Sequence, residues 1–135
     1  MKKRVLLLFI VAVCIVFMPG HVLADYGQDK ITLVGSIQGL GCVTQKNICP
    51  IGMEASMAAL EDIFVLLTDP VKAEYYIIPN VDVKTLARFI NEQVKVVGYV
   101  DAKHNSIWAD EIYSGNKLLW SGKQEEELRQ QMKAK

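Results

Sequence analysis

Residues 93–113 read QVKVVGYVDAKHNSIWADEIY, and this stretch decides the fold. Two runs rich in β-branched and aromatic residues, 93–100 and 106–113, flank the polar segment 101–105, the composition of two strands joined by a hairpin turn. Ser114, Gly115 and Asn116 then mark a second turn before a short apolar run at 117–120.

Upstream of the hairpin, Val83, Leu86, Ala87 and Ile90 recur at i, i+3, i+4 and i+7 opposite Lys84 and Arg88, which predicts an amphipathic helix. Pro79 stops the strand expected at 74–78 because it cannot donate to a ladder, and Asn80 or Asp82 can cap the helix that follows. Asn91 is the expected C-terminal stop. Residues 63–68 are almost continuously apolar and end at Asp69-Pro70, the pattern of a strand closed by a turn. Ile31, Leu33, Gly35 and Ile37 alternate with Thr32, Val34 and Ser36, which places the first strand here.

Between the first two strands, residues 38–53 are punctuated by Gly39, Gly41, Pro50 and Gly52 and read as a long loop. Loops of this length in a compact domain are often functional. Met53, Met57 and Leu60 share one helical face just beyond it. Residues 121–135 form a charged tail, helical or disordered, with Leu128 and Met132 as an isolated apolar pair.

The resulting order is strand, long loop, strand, strand, helix, strand, strand. Over residues 31–113 it resembles the OB-fold, a mainly β, five-stranded, partly open Greek-key barrel with one internal helix. The segment Gly98-Tyr-Val-Asp-Ala-Lys-His-Asn-Ser-Ile107, followed by Asp110, is similar to the last hairpin of small periplasmic bacterial OB-fold proteins. The cysteine-bearing insertion between the first two strands departs from that family. The likeness implies a fold and a compartment more than an activity.

The compartment has its own signal in the first 24 residues. Lys2, Lys3 and Arg4 precede an uncharged run from Val5 to Met18, then Pro19, Gly20 and a small residue at Ala24, the pattern of a secretory signal peptide. The apolar run is short for a membrane span, which needs about 20 residues. Cleavage after Ala24 leaves a barrel domain at 25–120 and the tail at 121–135, and predicts a periplasmic or secreted protein with no membrane span. An uncleaved anchor is the alternative.

Removing that segment leaves 12 basic against 15 acidic residues. A mildly acidic domain argues against nucleic acid, whose phosphates are held by clustered Lys and Arg. Of the three cysteines, Cys42 and Cys49 stay in the mature chain, an even pair in a compartment where disulfides persist. A disulfide stapling the loop is the expected state.

His104 lies between Asp101 and Ser106, but three such residues in a predicted turn are the ordinary composition of a turn. No catalytic set, metal site or cofactor is expected. Tyr75, Tyr76, Tyr99 and Trp108 fall on predicted strands and are the candidate ligand-binding residues, and the adjacent pair Tyr75 and Tyr76 must point to opposite faces. The acidic pairs Glu61-Asp62 and Asp110-Glu111 read as solvated strand edges. The expected function is therefore non-enzymatic binding of a small ligand or envelope protein through the 38–53 loop and the adjoining barrel face. The alternative is a metal or redox protein using Cys42 and Cys49 with Met53 or Met57.

Overall fold

A computed structural model describes Gly27 and residues 29–134. The export segment expected over residues 1–24 lies outside the described residues. The described chain is mainly antiparallel β, with six strands: β1 (Ile31–Gly39), β2 (Phe64–Asp69), β3 (Glu74–Ile77), β4 (Gln93–Asp101), β5 (Ser106–Ser114) and β6 (Lys117–Ser121). Four helices interrupt them: α1 (Leu40–Thr44), α2 (Glu54–Leu60), α3 (Val83–Ala87) and α4 (Gly122–Lys133).

Hydrogen bonding gives the strand order β3-β2-β1-β4-β5-β6. The long β1 serves two neighbours, pairing with β4 through its first half and with β2 through its second. A parallel contact between Ile77 and Ser106 joins β3 to β5, so the run of five strands closes on itself and β6 lies outside the ring. The Ile77 N–H donates to the Asn105 carbonyl at 2.8 Å on that seam.

The core follows from strand alternation. Phe64 and Leu66 point to one face of β2 and join Ile37, Val94, Val96, Ile107 and Ile112 in the main cluster. Val65 and Leu67 point to the other face and join Val43, Leu40, Tyr75 and Ile77 in a smaller cluster under α1. Thus β2 is apolar without alternation because both of its faces are covered.

Four expectations are corrected. The 38–53 loop is shorter than expected: β1 runs on to Gly39 and Leu40–Thr44 is helical, because Leu40 and Val43 have the outer face of β2 to cover. The helix expected across Val83 to Ile90 ends at Ala87; Val83 is exposed, and Ile90 is buried through a bridge to Ile37 instead. Asp82 is its cap, its carboxylate accepting from the Lys84 N–H at 2.8 Å, and Asn91 stops the segment at φ +66°. The helix α2 packs on the core through Met57 and Ala58, while Met53 just ahead of it and Leu60 at its end remain exposed. The sheet has six strands rather than five. The charged tail, expected as helical or disordered, forms α4, which buries none of its residues. Among the described residues no helix is long and apolar enough to cross a membrane.

Candidate functional site

The connection between β1 and β2 is fastened from below by Gln38, a buried polar residue at the end of β1. Its side-chain oxygen accepts from the Cys49 N–H at 2.6 Å, and its amide donates to Ser36 Oγ at 3.2 Å and Asn91 Oδ1 at 3.1 Å. Asn91 passes the connection on, donating to Glu54 Oε1 at 3.0 Å at the start of α2. Glu54 also accepts from the Gly52 N–H, and these bonds, Gly52 first, hold its carboxyl below the ordinary glutamate range. A polar chain rooted in the buried Gln38 thus ties the insertion to β1 and to the turn after α3.

Cys42 and Cys49 meet above Gln38, 2.5 Å apart and both thiols in the structure. Cys49 is fully buried and its sulfur accepts the Gly39 N–H at 3.2 Å, whereas Cys42 reaches a cavity of about 390 Å³ between α1, the following loop and α2. Glu61 lies at the same cavity, with one carboxylate oxygen accepting the Gly41 N–H at 3.0 Å and the other 3.8 Å from Cys42 Sγ. Burial, then Cys49 and the Glu61 charge, push the Cys42 thiol up to about 12.

Glu61 occupies a slot made by two glycines. A Cβ at Gly39 would stand 2.5 Å from the Glu61 carboxyl carbon, and one at Gly41 would stand 2.6 Å from Glu61 Oε1. Glu61 is therefore not the solvated strand edge that its sequence suggested. The spacing Gly39-Leu40-Gly41-Cys42 carries no signal of that role, because it has no meaning until α1 brings it against residue 61.

The four aromatic candidates do not form one site. Tyr76 packs on the main core and Tyr75 on the small cluster beneath α1, so the adjacent pair does divide between opposite faces. Tyr99 and Trp108 are cross-strand partners on β4 and β5. Lys30 Nζ lies 5.7 Å from the Tyr99 ring centre and pairs with Asp110 at 2.6 Å, while Lys95 Nζ sits 4.8 Å over Tyr113. Trp108 also borders a cleft of about 620 Å³ between β5, β6 and α4, which Trp120, Lys30 and Arg129 help to line. Sequence reasoning passed over Trp120 and Lys30 because neither belongs to a motif.

His104 and Asp101 do meet, at 2.6 Å between Nδ1 and Oδ2, but Asp101 also accepts the backbone N–H groups of Lys103 and His104. That geometry builds the hairpin turn. Among the described residues no group of three or more His, Cys, Asp and Glu is placed to hold a metal ion. No family model, curated protein or solved structure matches this chain.

Proposed function

We propose that this chain is an exported OB-fold domain whose β1–β2 connection, stapled by a Cys42–Cys49 disulfide, binds another envelope protein without catalysing a reaction. The OB-fold reading is supported by the ring order β1-β2-β3-β5-β4, with the parallel β3–β5 contact and with α3 between β3 and β4. The disulfide reading is supported by the adjacent sulfurs and by the export signal expected at residues 1–24.

One observation carries the binding reading. Ile48, Ile51, Met53, Leu60 and Ile63 are all exposed, Ile51 at 80% and Leu60 at 76%, within the segment that the polar chain from Gln38 holds in place. Large apolar side chains displayed on a fastened insertion favour a protein partner. The outer face of β2 and β3 is already occupied by α1, which leaves the insertion itself as the contact surface.

Affinity purification from an envelope fraction tests this with the Ile51→Ser/Leu60→Ser double variant beside the parent chain. A protein retained by the parent and lost from the variant, with unchanged circular dichroism, is the expected result. Equal recovery by both overturns the reading.

A further inference from the structure

Only one of the two sulfurs can be reached from solvent. Cys42 lines the cavity, whereas Cys49 is fully buried beneath it against the Gly39 N–H. Among the described residues lining that cavity Glu61 is the one carboxylate, and no Lys, Arg or His stands beside it. Its carboxylate is fixed by the Gly41 N–H, faces Cys42 at 3.8 Å, and fills a slot that a side chain at position 39 or 41 would close.

We propose that, with Cys42 and Cys49 bridged, this cavity is a thiol–disulfide exchange site entered only at Cys42, and that Glu61 makes it select cationic or neutral thiols over anionic ones. The proposal rests on the disulfide reading above. An incoming thiolate attacks Cys42 Sγ, and the Cys42–Cys49 bond breaks. The electron pair goes to Cys49 Sγ, which accepts the Gly39 N–H and then takes a proton from water. A second thiolate attacks the sulfur of the bound thiol, releasing Cys42, which is protonated in turn. Two thiols are oxidised to one disulfide, and the bridge is reduced to two thiols.

Selectivity comes from charge at the point of entry. The attacking sulfur must come within bonding distance of Cys42 and hence within a few ångströms of the Glu61 carboxylate, where a negative substituent is repelled and an ammonium attracted. The high pKa of Cys42 adds a second consequence. Cys42 is a poorer leaving group than an ordinary thiol, which slows its release from the mixed disulfide.

The test uses the purified oxidised chain with cysteamine, 2-mercaptoethanol and 2-mercaptoethanesulfonate at matched thiolate concentration, each rate being divided by that on a small neutral disulfide. Cysteamine is expected to lead the sulfonate by about tenfold, a margin that shrinks in high salt and is lost in Glu61→Gln. Mass spectrometry of Cys49→Ser treated with cystamine, the disulfide of cysteamine, should find the adduct on Cys42, and Cys42→Ser should carry none on Cys49. Equal selectivity in the parent and Glu61→Gln, no salt effect on the parent, or an adduct on Cys49 overturns the exchange site while leaving the bridge intact. A purified chain that forms no Cys42–Cys49 bridge under mild oxidation overturns the bridge and the exchange site together.

Discussion

Asn80 pairs with the backbone of Ala109 as though it were one residue of a strand: its Nδ2 donates to the Ala109 carbonyl at 2.6 Å and its Oδ1 accepts the Ala109 N–H at 2.9 Å. β3 has ended by then, stopped at Pro79, and its ladder to β5 is a single residue pair, Ile77 with Ser106. The side-chain amide continues the seam where the main chain no longer can. Asn80→Ala should cost about 2 kcal/mol, since it removes two hydrogen bonds and leaves the Ala109 N–H and C=O on the edge of β5 without their partner. Asn80→Asp should cost at least as much, because a carboxylate accepts from the N–H but cannot donate to the carbonyl. Urea unfolding of the three proteins measures this, and a change under 0.5 kcal/mol (~) in both would mean that Asn80 does not hold the seam.

The glycine slot gives a second prediction. The Glu61 side chain is flexible, so Gly41→Ala should displace its carboxylate rather than unfold α1, where alanine is the better helix former. Cys42 should then react as it does in Glu61→Gln, with its thiol pKa lower than in the parent, because the carboxylate is one cause of the rise. Alkylation of the reduced protein across a pH series reports that pKa. Gly41→Ala added to Glu61→Gln should change nothing further, whereas additive effects would show that the glycine acts on Cys42 by another route.

How far the sequence reaches is visible in these two sites. The five strands of the ring, the cap as one of Asn80 and Asp82, and the stop at Asn91 were legible because each is written in local periodicity or a capping residue. The unbroken apolar run of β2 was legible as a strand, but not the reason for it, which is a second covered face that appears only when α1 folds back over Val65 and Leu67. For the same reason residues 40–44 read as loop: their helix is selected by packing against a strand far along the chain. The role of Glu61 was hidden completely. It joins residues 39, 41, 42 and 61 across the insertion, and no single-residue pattern encodes such a meeting.

Acid should weaken the hairpin turn through Asp101. Its side-chain bond to His104, together with the two backbone N–H groups it accepts, holds the carboxyl below the ordinary aspartate value of 3.8. A carboxyl depressed on folding adds stability that is fully present above its unfolded value and is lost as pH falls through the folded one. Asp101→Asn removes that titration. The stability gap between the parent and Asp101→Asn should therefore be widest at pH 5 and above (~) and narrow steadily below pH 4 (~), with His104→Ala intermediate. Thermal unfolding followed from neutral pH to pH 2 (~) checks it, and a gap independent of pH would show that Asp101 does not titrate with folding.

The last helix depends on one tether. α4 has 12 residues and buries none of them, and an isolated helix of that length is marginal in water. What fixes its start is Glu125, which accepts from Trp120 Nε1 at 2.6 Å and from Arg129 one turn later at 2.5 Å. Trp120 is itself buried against the main cluster, so Glu125 joins the helix to the core through a single indole N–H. Glu125→Ala should lower amide protection across 122–133 by about tenfold, as expected when a marginal helix loses roughly 1.4 kcal/mol of anchoring. Protection of β1 to β5 should stay unchanged, because α4 buries none of its own residues against the ring. Arg129→Ala should have a much smaller effect, since the exposed pair it breaks is worth only about 0.5 kcal/mol. Equal loss in the two variants would place the anchor in the helix's own side-chain pairing rather than in the contact with Trp120.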